Sequence, residues 1–175
     1  MFEKLIDVVL SFGAQLLPIY VIDAFDEGVL LRFGKFKYIA KPGLHWKIPF
    51  VDQVVTATIV TTTMHLNSQS LTTLDNKNIV LRAVVKYRVK DIEKFILEVM
   101  DSRDAIGDVA MGCIREVVML RTWDDLLKNP IDDIITKHVK TECRKWGVEI
   151  AKVTLTDLSI TRSLRLFNES SFVDN

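Results

Sequence analysis

The stretch that most narrows the fold runs from Ile79 to Val89. Ile79, Leu81, Ala83, Val85, Tyr87 and Val89 alternate with positions that include Arg82, Lys86 and Arg88, and Lys90 follows. A period of two sustained this long specifies a strand with one buried face and one wet face. Such a strand needs neighbours, and the chain offers them. Val54 to Leu66 is β-branched and threonine-rich and reads as a strand. Ser70–Leu74 reads as a short strand, and Asp75-Asn76-Lys77-Asn78 as the hairpin turn after it. Val148 to Ile160 returns to strand composition near the end.

Between these strands the period changes. Ile92, Phe95, Ile96 and Val99 predict a short helix begun by Asp91, and Ile106 to Val118 a longer one with Asp104 as its cap. Thr122 suits the N-cap of another short turn of helix. Asn129-Pro130 reads as the cap and first-turn proline of a helix carried by Ile131, Ile134, Ile135, His138, Val139 and Trp146 to Gly147. Strands, then helices, then a strand predict an α+β domain: a mostly antiparallel sheet with the helices grouped on one side.

Upstream, residues 28–51 carry five bases (Arg32, Lys35, Lys37, Lys41, Lys47) and no acid. Val29, Leu31 and Phe33 alternate as one face of a strand broken at Gly34. Pro42-Gly43 marks a turn, and Pro49 stops an interior strand. Gly34, Pro42, Gly43 and Pro49 therefore read as a hinge between the N-terminus and the domain.

The N-terminus is apolar. Residues 8–22 hold no charge, but as a helix they span about 22 Å, short of the roughly 30 Å hydrocarbon core, and Pro18 interrupts them. Phe2, Leu5, Ile6, Val9, Leu16 and Leu17 fall on one side, widened by Val8 and Phe12, opposite a narrow stripe of Glu3, Asp7, Ser11, Ala14, Gln15 and Pro18. This predicts an amphipathic or monotopic helix over residues 1–22, lying on the membrane rather than crossing it. Ile19 and Tyr20 extend its lipid-contacting set. Arg32, Lys35, Lys37, Lys41 and Lys47 would face the anionic lipid of a cytoplasmic leaflet. The domain then occupies residues 23–162, with a short polar tail over 163–175.

Chemistry finds little foothold. With 23 acidic and 23 basic residues, no global field favours a polyanion. Residues 91–133 are acidic, with eleven acids against five bases. His45, His65 and His138 are isolated from one another, and His138 reads as partly buried on an apolar stripe. Asp124-Asp125 and Asp132-Asp133 sit where helix dipoles favour acids. No phosphate-binding glycine loop or nucleophile elbow occurs. Cys113 and Cys143 read as small core residues of a reduced compartment. No catalytic residue, metal ligand or cofactor is expected. Residues 79–90 lack the paired aromatics of a nucleic-acid platform.

Four motifs occur in order over most of the chain. They are Glu27-Gly28-Val29 with Leu31-Arg32-Phe33-Gly34-Lys35; Pro42-Gly43-Leu44-His45-Trp46 with Ile48-Pro49-Phe50-Val51-Asp52; Leu74-Asp75 with Val80–Val89; and Trp146-Gly147-Val148-Glu149-Ile150 through Val153 to Asp157-Leu158. Together they resemble the stomatin/prohibitin (SPFH, Band 7) family, and the second is most similar to the bacterial membrane-protease regulators. The resemblance implies a non-enzymatic, membrane-associated scaffold that oligomerises, organises membrane and regulates membrane proteases or channels. The long coiled coil usual after this domain in the family is absent from Leu164–Asn175, which is too short for sustained heptads. A smaller homo-oligomer, or co-assembly with longer relatives, is expected. The alternative is a soluble regulatory module whose N-terminal helix docks on a protein partner.

Overall fold

The computed structural model describes residues 18–161. Its centre is β8 (Asn78–Val89), whose alternate residues from Ile79 to Val89 are buried as the period requires. One edge of β8 is shared by β6 (Thr62–His65) and β7 (Gln69–Thr72) in succession. The other edge carries β9 (Val148–Ile160), paired from Ile79↔Ile160 to Val89↔Val148 with two register shifts. The remaining strands are β1 (Ile19–Ile22), β2 (Asp26–Arg32), β3 (Lys35–Ala40), β4 (Gly43–Trp46) and β5 (Asp52–Thr58). They form a β1–β4 ribbon and a β3–β2–β5 sheet. Every pairing among the described residues is antiparallel.

The helices are α1 (Ile92–Leu97), α2 (Ser102–Met119), α3 (Trp123–Lys128) and α4 (Asp132–Cys143), with a 3₁₀ turn at Arg144–Trp146. Ile106, Ala110, Cys113, Ile114 and Val117 of α2 join Ile135, Val139 and Cys143 of α4 in one core with the buried face of β8. The α+β arrangement is thus as the sequence predicts. Cys113 and Cys143 are buried free thiols, and burial, the largest cause, pushes the Cys143 thiol up to about 12.

Local chemistry explains where the elements depart from expectation. Val54–Leu66 is two strands in two sheets, because the chain crosses between them at Ile59–Thr61. Ile59 N–H donates to Phe25 O (2.9 Å), and Arg88 Nε donates to Ile59 O (3.0 Å). α2 starts at Ser102 after Asp101, and Asp104 lies in its first turn. Ser102 Oγ donates to Val99 O (2.9 Å) and Phe95 O, which ties this start to the end of α1. Asn129 closes α3 rather than opening α4: its N–H donates to Asp125 O and its side chain to Asp125 Oδ1. Pro130 is a bridge, and α4 begins after the buried Ile131. His138 and Ile134 are exposed, so the buried stripe is Ile131, Ile135, Val139 and Cys143. Asp91 and Thr122 cap α1 and α3 as predicted, each accepting from a first-turn N–H.

One carboxylate joins the turn before β8 to the loop after α2. Asp75 Oδ1 accepts from Thr73 Oγ1 (2.6 Å) and from Trp123 N–H (3.1 Å), and Lys77 Nζ lies 3.2 Å from Oδ2. The Thr73 hydroxyl is the main cause that lowers its pKa to about 2. A depressed folded-state pKa contributes stability that is complete above the ordinary carboxylate range and is lost as pH falls toward 2. Asp75→Asn is expected to lower the melting temperature at neutral pH, with the gap from the parent closing as pH drops through that window. Thermal melts between pH 2 and 7 check this; a constant gap would contradict it.

Candidate membrane-docking site

β2 and β3 are joined by Phe33-Gly34, whose φ angles of 51° and 74° both lie in the left-handed region. A two-residue turn of this kind matches the twist of a hairpin, and glycine fits the second position without strain. Phenylalanine at the first does not, yet Phe33 is held there with its side chain 80% exposed. Phe50, on the loop between β4 and β5, repeats the pattern with φ 65° and 80% exposure. The loops meet: Phe33 N–H donates to Val51 O (3.1 Å), and both aromatics line one shallow depression with Lys47 and Pro49. Two large apolar side chains are presented to solvent from strained backbone.

The tip is braced beneath. Arg32 grips Asp52 with a two-pronged contact, Nε to Oδ1 at 2.7 Å and Nη2 to Oδ2 at 2.9 Å. Asp52 Oδ2 also accepts from Ile48 N–H at 2.8 Å, so one carboxylate fixes both loops. The Arg32 contact, then the Ile48 amide, holds the Asp52 carboxyl below its usual range.

The β1–β4 ribbon adds a second apolar surface. Its register pairs Ile19 with Trp46 and Val21 with Leu44, which places these four on one face. Trp46 is 72% exposed, Val21 68% and Leu44 63%. The opposite face turns inward: Ile22 is buried, Tyr20 stacks on His45 with centroids 5.3 Å apart, and His45 Nε2 contacts Lys41 O at 2.6 Å. The Tyr20 hydroxyl meets that of Tyr38 on β3 at 3.4 Å, and burial, ahead of that contact, raises its pKa.

These positions revise several expectations. Ile19–Ile22 are a strand, not the end of a helix, because their backbone is satisfied by β4. Ile19 keeps an exposed face, whereas Tyr20 is spent on contacts within the protein. Phe33 is not a buried strand position; β2 instead buries Gly28, Val29 and Leu30 together. Arg32 is neutralised by Asp52, which leaves Lys35, Lys37, Lys41 and Lys47 without a carboxylate partner among the described residues. Gly34 sits in the tip turn, Pro42 and Gly43 open β4, and Pro49 lies in the Phe50 loop. Phe2, Leu5, Ile6, Val9, Phe12, Leu16 and Leu17 lie outside the described residues, as does the tail over 163–175. No helix among the described residues is long and apolar enough to cross a membrane. Sequence reading missed Phe33, Phe50, Trp46, Leu44 and Val21 as surface groups. An aromatic-glycine pair flanked by Arg32 and Lys35 is the signal that points to an exposed turn.

The family model for the SPFH domain / Band 7 family matches residues 20–165, from β1 to just past β9. The chain belongs to the SPFH domain / Band 7 family. Among its relatives, an uncharacterized protein of Methanocaldococcus jannaschii is 32% identical over 142 residues, covering 80% of this chain and 71% of that one. An uncharacterized protein of Archaeoglobus fulgidus is 28% identical over 147 residues, 83% of this chain and 59% of its own length. The Modulator of FtsH protease HflK of Escherichia coli is 31% identical over 108 residues, 62% of this chain and 26% of the relative. The chain therefore spans less than two thirds of the length of two of these three relatives.

Proposed function

We propose that this SPFH domain is a peripheral or monotopic membrane scaffold that docks on anionic bilayers through its aromatic tip. The observation that carries the reading is the pair Phe33 and Phe50, exposed on left-handed backbone at one braced tip. Water gives no reason to hold phenylalanine in such a conformation, whereas a bilayer interface rewards it by accepting the ring. The outer face of the β1–β4 ribbon supplies further apolar area, directly after the uncharged residues 8–17. Lys35, Lys37, Lys41 and Lys47 supply the charge that anionic headgroups attract. The scaffold oligomerises, alone or with longer SPFH relatives, and modulates a membrane protease or channel. The kinship with a protein named as a modulator of FtsH protease supports that last step. Its role is regulatory, not catalytic.

Flotation with vesicles tests the docking. The full chain is expected to rise with anionic vesicles, and replacing all four lysines with glutamate to weaken binding and flatten its salt dependence, at about 1 kcal/mol per lysine near the surface. A truncation that removes residues 2–17 keeps β1 and tests the folded domain alone. A full chain that stays soluble defeats the reading and favours the module that docks on a protein. Pull-down from detergent-solubilised membranes, with and without those residues, then shows whether the N-terminus is what engages that partner.

A further inference from the structure

A second concave feature lies among the end of β8, the start of α1, the last turns of α4 and the start of β9. It is a groove of about 500 Å³ into which Lys90, Lys94, Lys137, Lys140 and Arg144 all face. Two carboxylates share it: Glu149 lies 3.2 Å from Lys90, and Asp91 lies 3.6 Å from Lys94. Lys137, Lys140 and Arg144 have no carboxylate partner among the described residues. The groove thus holds a local surplus of three positive charges. Cations at the end of α4 would complement the helix dipole anyway. That accounts for Lys140 and Arg144, and ion pairs account for Lys90 and Lys94; Lys137, in the middle of α4, has neither a carboxylate partner nor a place in the last turn, yet lines the same concavity.

The backbone at the groove is pinned by hydrogen bonds at Gly147. Gly147, in the left-handed region at φ 71°, turns its carbonyl to accept from Lys90 N–H (2.9 Å) and Asp91 N–H (3.0 Å). The volume suits a small ligand rather than the broad, flat contact of a protein partner. A guanidinium fork beside two ammonium groups matches closely spaced phosphates, which concentrate several charges in that volume.

We infer that this groove binds a compact ligand carrying two or more phosphate groups, with Arg144 taking one phosphate through its fork and Lys137 and Lys140 the next. The phosphates can belong to a soluble molecule or to a lipid headgroup. The inference is independent of the aromatic tip.

Titration calorimetry of the full chain with inorganic tripolyphosphate tests it, beside phosphatidylcholine vesicles doped with a phosphatidylinositol bisphosphate. The vesicle arm is run on the Phe33→Asn/Phe50→Asn variant, so that tip docking does not contribute. Saturable one-to-one binding of tripolyphosphate is expected, weakened about tenfold by Arg144→Gln and lost in the triple Lys137→Gln/Lys140→Gln/Arg144→Gln variant. All three side chains are exposed, so an unchanged melt shows that the variants remain folded. Tripolyphosphate binding without vesicle capture identifies a soluble ligand; vesicle capture that the triple variant abolishes identifies a lipid headgroup. The inference is overturned if neither probe binds, if binding survives the triple variant, or if citrate or oligo-glutamate binds as tightly as tripolyphosphate. Tripolyphosphate binding unaltered by the tip substitutions keeps this result separate from the docking proposal.

Discussion

The double variant Phe33→Asn/Phe50→Asn is expected to melt higher than the parent and yet lose most of its affinity for membranes. Both parent residues sit on left-handed backbone, which costs a side chain such as phenylalanine about 1–2 kcal/mol and which asparagine tolerates. Both are 80% exposed, so little packing is given up. The folded state should gain about 1 kcal/mol or more from the pair. Partitioning should fall by about two to four orders of magnitude, since each of the two rings taken into an apolar phase contributes roughly 1.5–3 kcal/mol. Thermal melts and vesicle flotation on the same preparations read both effects. A lower melting temperature would mean that the rings support the fold, and undiminished flotation would mean that another surface docks.

Gly147→Ala should do the opposite kind of damage. A Cβ there would lie 2.4 Å from Asp91 O, a backbone atom that cannot swing away, and 3.1 Å from Lys94 Cβ. The φ of 71° adds its own penalty for alanine. The clasp between the start of β9 and the β8–α1 junction must open, at a cost of about 3 kcal/mol. Gly112→Ala makes the natural control. Gly112 is exposed in the middle of α2, with nothing within 4 Å of the added Cβ, so alanine should stabilise by about 0.5–1 kcal/mol. Urea titration of the two variants checks the contrast in sign. A Gly147→Ala protein as stable as the parent would refute the account of the clasp.

How far this molecule was legible in its residues depends on whether the deciding physics was local. Ile79–Val89 declared itself because a half-buried strand sorts its side chains by period alone. Asp91, Thr122 and Gly147 were readable because a cap or a left-handed closure is settled within a few residues. Asn129-Pro130 misled for a tertiary reason: burial of Ile131 and the bonds from Asn129 to Asp125 gave the segment to the end of α3. Val54–Leu66 looked like one strand because composition does not show that its halves serve different sheets. Ile19–Ile22 looked like the end of a greasy helix because their partner, β4, lies beyond two intervening strands. The tip was the costliest miss. Phe33 and Phe50 are placed by hairpin geometry and by the Arg32–Asp52 grip, and pattern reading sends an apolar residue inward by default.

Trp46 offers the most direct view of the proposed docking face. It is exposed on the outer side of the β1–β4 ribbon, whereas Trp123 and Trp146 pack against the core. In the 175-residue chain carrying Trp123→Phe and Trp146→Phe, Trp46 is the sole indole and can be read against anionic vesicles whose acyl chains are brominated. Its emission is expected to shift to the blue and to be quenched on binding, and Phe33→Asn/Phe50→Asn to remove both changes. Emission that stays unshifted and unquenched while the protein floats with the vesicles would contradict the docking proposal.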